Sequence, residues 1–406
     1  MADIQPFAAL RPKPELADKI CQLPYDVMSS EEARVMAEGN PLSFLHVSKP
    51  EIDLPPNTDP YSDEVYKKGA TNLQNLIDQG ALYRDDKPKY YLYRQIMGSH
   101  SQVGLVAAAS CQDYLDSTIK KHEFTRPDKE NDRVRHIDSL NAQTGPVFLT
   151  YKSVEAVDRL FESVTSGSPA VDFTADDGVR HTAWVVEDQE TIDSISNHFR
   201  NIPVLYIADG HHRSAAAARV FLERKGADNS GYFLTVIFPD HQMQILAYNR
   251  AVKDLNGLSP SQLLDKLDLV AKIVPESSDV TPADKHEFGL YLSGQWYRCL
   301  FRENFLQSAD PIETLDVTLL QKNVLAPLLD IDDPRTSKRI AFIGGIRGNA
   351  ELEKVVDSGD FAVAFSMFPT SIHDLMNVAD QDGIMPPKST WFEPKLRDAM
   401  FSYVLG

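Results

Sequence analysis

The chain has 406 residues, 42% hydrophobic and 25% charged, with a formal net charge of −18. That length exceeds one ordinary core and implies two or three domains with ample apolar material. The acidic balance argues against sequence-independent nucleic-acid binding, which draws on Lys and Arg facing phosphates. The opening MADIQPFAALRPKPEL lacks the apolar stretch of a signal peptide, and no run approaches the length of a membrane span, so a cytoplasmic location is expected.

Cys21, Cys111 and Cys299 are scattered and odd in number, which argues against a disulfide framework or a paired zinc spacing and for buried thiols. The stretch from Ile4 to Pro24 is dotted with prolines and reads as an extended, wrapping segment. Ser29 followed by acidic residues marks a helix start, with the helix over Glu31 to Glu38. Leu42 to Val47 has strand character, and the apolar spacing of Tyr61 to Gln79 predicts an amphipathic helix. Tyr90 to Gln95 and Val103 to Ser110 read as a hairpin.

The segment IKKHEFTRPDKEND, Ile119 to Asp132, has no apolar period. It reads either as a solvated loop or exposed helical face, or as a charged site carrying His122, Glu123, Arg126, Asp128 and Lys129. Val134 to Asn141 continues as helix, followed by a strand at Val147 to Tyr151. Helix over Glu155 to Val164, strand over Thr182 to Val186 and helix over Thr191 to Asn201 come next. Beyond the central stretch, Tyr232 to Phe238 and Met243 to Tyr248 read as strands. Ser259 to Val270 reads as helix, Glu287 to Phe301 as a hairpin turning at Ser293-Gly294, and Leu315 to Leu329 as a long helix.

Arg339 to Ile343, the turn Gly344-Gly345-Ile346-Arg347-Gly348 and the helix Asn349 to Val356 form a strand, glycine-rich turn and helix without the spacing of a P-loop or dinucleotide fold. Either a phosphate site or a tight packing turn fits. The proline-rich Ile384 to Leu396 offers Lys388, Ser389 and Thr390 to a phosphate, or Trp391 and Phe392 to packing.

The chemistry concentrates in VLYIADGHHRSAAAARVFLE, Val204 to Glu223. A branched apolar run is followed by five polar residues and an alanine-rich stretch, predicting strand, tight turn and helix. The first N–H groups of such a helix are unpaired and carry the positive end of its dipole, so an anion is favoured there. Gly210 permits a positive φ, Arg213 offers a guanidinium fork, and Asp209 can hold a cation or orient a hydroxyl. A plain Asp-Gly turn capped by Asp209 is the bland alternative.

DGHHR at Asp209 to Arg213, KKHEFTRPDKE at Lys120 to Glu130, TGPVF at Thr144 to Phe148, FPD at Phe238 to Asp240, GGIRG at Gly344 to Gly348 and MPPKSTWFEPK at Met385 to Lys395 together resemble the domain of unknown function 1015 family. That family is similar to the ParB and sulfiredoxin superfamily, whose core binds nucleotide phosphates at a turn opening a helix, and to the free serine kinases. The resemblance implies a mixed α/β fold with a ParB-like catalytic core at residues 90–254. An N-terminal wrapping segment at 1–89 and a C-terminal α+β region at 255–406 would flank it.

Carried over residue by residue, the resemblance implies Gly210, His211, His212 and Arg213 at the phosphates, with Arg126 and Lys129 as secondary contacts. Asp209 would stand at Mg²⁺ or the serine hydroxyl, and Glu123, beside His122, would be the general base. The implied activity is a Mg²⁺-dependent transfer between ADP or ATP and serine or O-phosphoserine. A phosphatase or nucleotidase using water, and a nucleotide-binding module without turnover, are the alternatives. A transition metal on Asp209, His211 and His212 is disfavoured, because adjacent histidines in one turn seldom face one ion.

Overall fold

The structure, a computed structural model, describes residues 1–406. The fold is mixed α/β, and the chain forms two compact units where the sequence suggests three segments. Met1–Met243 with Pro394–Gly406 forms the first and Gln244–Glu393 the second.

The first unit is built on a nine-stranded sheet. Its strands run in the spatial order Ile119–Lys120, Leu205–Asp209, Val147–Tyr151, Tyr232–Pro239, His100–Ser110, Tyr90–Met97, Arg180–Val186 and Val171–Thr174, and Ile4–Gln5 adds to His100–Ser110. Leu205–Asp209 is antiparallel to Val147–Tyr151 and parallel to Ile119–Lys120. That parallel pairing brings the start of the polar segment beside the central strand. The central strands are buried on both faces, with Leu205, Tyr206, Ile207, Leu149, Phe233 and Ile237 inaccessible to solvent, which is why they read as continuous apolar runs.

His211–Arg224 packs against Pro127–Leu140, which in turn packs against Asp63–Asp78. Ala215 to Ala218 are all buried, and their small side chains let the helix lie close to its neighbours. Charged pairs rim the contact: Arg219 donates to Glu130 at 3.1 Å and Arg224 to Asp138 at 2.7 Å. The last residues close the unit by main-chain hydrogen bonds, Ser402 to Leu10, Ala399 to Thr144 and Leu405 to Asn141.

The second unit carries a six-stranded antiparallel sheet in the order Ala271–Glu276, Gln295–Phe301, Glu287–Leu292, Val363–Met367, Tyr248–Val252 and Ile340–Gly344. Its core gathers Ala251, Tyr291, Trp296, Leu352 and Ala364. Residues 316–329 are one helical run interrupted by a π-helical turn at Gln321–Leu325.

Most predicted elements are present, with differences at their ends. Leu42 to Val47 is a correction: the segment ends in a short helix, Leu45–Ser48, whose Phe44, Leu45 and Val47 are fully buried. A stretch buried on every side shows no period to separate helix from strand. Met243 to Tyr248 is also corrected, splitting into Ile245–Leu246 and Tyr248–Val252. The polar segment resolves into the strand Ile119–Lys120, a loop, and the helix Pro127–Leu140, which opens with Pro127 in the first turn, where its missing N–H costs nothing. Cys21, Cys111 and Cys299 are buried free thiols, and no helix is long and apolar enough to cross a membrane.

Candidate functional site

The strand Leu205–Asp209 ends and the helix His211–Arg224 begins two residues on, so the turn between them has one conformational requirement. Gly210 meets it with φ +98°. A Cβ there would lie 3.3 Å from Arg213 Nε and 3.4 Å from Val147 Cα. No side chain caps the helix, so its first N–H groups keep the partial positive charge that attracts anions.

Asp209 has a partner on each oxygen. Oδ1 accepts from Gly210 N at 2.8 Å and Oδ2 from Lys395 Nζ at 3.2 Å. Burial alone would raise its carboxyl, but Lys395 and then Arg213 overcome that and hold it well below the usual carboxylate range. Asp209 is therefore ionised at physiological pH and already answered by an ammonium. It does not by itself fit a resident Mg²⁺ site, which needs oxygen ligands unencumbered by cations.

His211 and His122 stack edge to face, ring centroids 4.4 Å apart. His211 Nε2 accepts from the His122 main-chain N–H at 3.4 Å, and its Nδ1 lies 3.9 Å from Glu123 Oε2. The His122 ring bonds to the Ile207 carbonyl, while its Nδ1 has no partner. Burial pushes the His122 imidazole down to about 4 and His211 well below its ordinary value, so both are neutral near pH 7. Glu123, by contrast, is half exposed.

One donor atom each from His122, Glu123 and His211 lies within 4.8 Å of the others. A tetrahedral ion with bonds of about 2.0–2.2 Å needs its donors closer together than that, and His211 Nε2 already serves the His122 amide. The set is better matched to neutral imidazoles flanking a carboxylate. Asp209, His211 and His212 do not form a metal group, since His212 turns the other way and accepts from Arg126 N at 3.0 Å.

Arg213 is turned inward. Its Nη1 donates to the Pro146 carbonyl and its Nη2 lies 3.9 Å from Asp26. Burial works against its charge, but Asp26, Asp209 and Asp398 keep it a cation. Beside it is a cavity of about 30 Å³, lined among others by Tyr25, Arg133, Thr144, Gly145 and Asp398, room for one or two waters. Two atoms of its lining residues, Arg213 Nε and Asp398 Oδ1, are buried without a hydrogen-bond partner. Burial lifts the Asp398 carboxyl to about 7 despite Arg213.

The side chains of the other sequence candidates have partners of their own. The Arg126 side chain, 69% exposed, makes a forked pair with Asp128 at 2.9 and 3.3 Å. Lys129 donates to the Tyr61 hydroxyl at 2.9 Å. In the second unit, the GGIRG turn is a packing turn: a Cβ at Gly344 would meet the Trp391 ring at 2.9 Å and one at Gly345 the Ala247 carbonyl at 2.6 Å. Arg347 there pairs with Glu351. Lys388 lies over the Tyr248 ring, and Ser389 donates to Pro386.

Sequence reasoning missed Lys395, Asp398 and Asp26. Lys395 and Asp398 belong to a tail whose aromatic residues suggest packing, and only the fold returns it to the turn. Asp26 follows Tyr25 in a proline-led stretch that reads as a plain connection.

The family model described as "Protein of unknown function (DUF1015)" matches residues 4–318, and the chain belongs to that family. No curated protein matches the chain. Among solved structures, a free serine kinase in complex with AMP is 12% identical with a TM-score of 0.35, covering 71% of this chain and 86% of its own. A conserved hypothetical protein from Pyrococcus furiosus is 14% identical with a TM-score of 0.35, covering 73% and 93%. SbnI with a C-terminal truncation from Staphylococcus aureus is 10% identical with a TM-score of 0.38, covering 72% and 85%. At these scores the likenesses carry no functional weight.

Proposed function

We propose that the chain is a phosphotransferase acting between an adenine nucleotide, ADP or ATP, and free serine or O-phosphoserine. The observation that carries this reading is the approach of the Glu123 carboxylate to 3.9 Å from His211 in the Asp209–Arg213 turn. It puts a proton acceptor beside an uncapped helix N-terminus. The motif resemblance to the free serine kinases supports the same substrates.

Phosphoryl transfer asks mainly for positioning and for neutralisation of spread negative charge. The amides opening the helix at His211 and His212 face the phosphates. Glu123 takes the proton from the acceptor hydroxyl as the new O–P bond forms and the bond to the departing AMP or ADP oxygen breaks. The neutral His122 and His211 exclude water and orient Glu123 without competing for its proton. Arg213 stiffens the turn from within by its bond to Pro146, and Arg126 holds His212 through its main chain. Mg²⁺ enters with the nucleotide as part of the substrate. A carboxylate half open to solvent also suits activation of water, so phosphate release from the same substrates is the second reading.

The test is incubation of the purified chain with Mg²⁺, serine and either ADP or ATP, followed by ³¹P NMR. Phosphoserine should form, and phosphoserine with AMP or ADP should be consumed in reverse. Inorganic phosphate appearing without serine would favour the hydrolase, and no change in any phosphorus signal would refute both.

A further inference from the structure

The cations that the sequence nominates for the phosphates are each engaged elsewhere. Arg213 is buried against Pro146 and Asp26, Arg126 is paired with Asp128, and Lys129 rests on Tyr61. A positive side chain does reach the turn, and it comes from the far end of the chain. Lys395 Nζ lies 3.2 Å from Asp209 Oδ2, outside residues 4–318 that define the family match.

We propose that Lys395 is a catalytic residue contributed by the C-terminal return segment, its ammonium contacting the transferred phosphoryl group while Asp209 holds it in position. The proposal rests on the phosphotransfer reading above and names a residue for it. An ammonium has three donors and serves an aspartate and a phosphoryl oxygen together. Asp209, ionised throughout the physiological range, is the fixed counter-charge that aims it.

The segment is anchored as a site element must be. Gln95 Nε2 donates to the Lys395 carbonyl at 2.8 Å, and Arg397 binds His181 at 3.1 Å and also Asp177. The Asp398 main-chain N–H closes on the Gln22 carbonyl at 2.9 Å, and the Asp398 side chain lies against Gly145 and the Arg213 cavity. These contacts hold the segment at and after Lys395 in place.

Calorimetric titration of the full chain with ADP and with adenosine tests this. Lys395→Met should weaken ADP binding about ten- to hundredfold, the range of a lost charge-assisted hydrogen bond, with adenosine binding unchanged. Lys395→Arg should restore most of the ADP affinity. A structural lysine would move both ligands together or neither, so equal losses for ADP and adenosine, unchanged ADP binding in Lys395→Met, or no ADP binding by the unaltered chain would each overturn the proposal. A Lys395-dependent ADP affinity in a chain that makes no phosphoserine would keep Lys395 as a phosphate contact while overturning its catalytic role together with the reaction reading. Phosphoserine formation unaffected by Lys395→Met would overturn the catalytic role and leave the reaction reading standing.

Discussion

Glu123 is half exposed, yet it stands against two imidazoles that are almost wholly buried. A carboxylate poised between solvent and a dry wall suits proton transfer better than structure. Glu123→Gln should lower phosphoserine formation by about 10²- to 10⁴-fold, the range of lost general-base catalysis, with ADP affinity within about threefold by titration. An unchanged rate would remove Glu123 from the mechanism. Asp398 is a second residue with a readable signature, because burial lifts its carboxyl to about 7. Between about pH 4 and 7 the unfolded chain releases this proton and the folded chain keeps it, so stability falls with rising pH by up to about 1.4 kcal/mol per unit. Urea midpoints of Asp398→Asn measured against the unaltered chain from pH 5 to 8 should show that slope removed. Equal slopes would mean that Asp398 is ionised in the fold. Asp209 and His211 stand out in the sequence because acid, glycine and paired imidazoles at a strand end have few structural uses, whereas Glu123 enters as the general base only through the family resemblance and its place beside His211 comes from the fold. Lys395 does not stand out, since its partner is 186 positions away.

At the scale of the element, the strand Leu205–Asp209, the turn and the helix His211–Arg224 act as one piece, and Gly210 is its joint. Gly210→Ala puts a Cβ at φ +98° and 3.3–3.4 Å from Arg213 and Val147. Stability should drop by about 1–2 kcal/mol, the cost of a left-handed alanine, read as a lower urea midpoint. No loss would mean that the turn relaxes to another conformation. This piece is legible because a branched apolar run gives way to consecutive alanines, so the period changes where the structure does. The helix Pro127–Leu140 is harder to see: it carries charge on several faces, and Asp132, Arg133 and His136 are buried, with Asp132 bonding Tyr66 at 2.7 Å. Polar residues satisfied by one another inside the fold erase the apolar stripe that sequence reading relies on.

The whole chain shows where pattern alone stops. The division at Met243 and the return of Pro394–Gly406 to the first unit leave no mark in composition, because the tail's hydrogen bonds reach residues near the start, Leu10 and Gln22 among them. Deleting Pro394–Gly406 strips Met400, Phe401 and Leu405, all buried, from the first unit. Its unfolding transition in a thermal melt should be lost or fall steeply, and a melt like the full chain's would contradict the tail's structural part. Acid should act on the molecule as well. His122, at about 4, and His136 and His181, at about 3, are held neutral by burial. The unfolded chain protonates these rings near 6.5, so their contribution to stability is full above that value and declines as pH falls towards 4. Asp398 acts in the opposite direction over this range, so the comparison is made in Asp398→Asn, whose urea midpoint should be clearly lower at pH 5 than at pH 7; equal values would mean that these rings are solvated. The central claim, that the Asp209–Arg213 turn is a phosphate cradle faced by Glu123 and Lys395, is tested most directly by a crystal structure of the full chain with ADP. The account predicts phosphate density against the amides of His211 and His212, with Lys395 Nζ in contact and Glu123 on the open side. Phosphates bound away from this turn would contradict it.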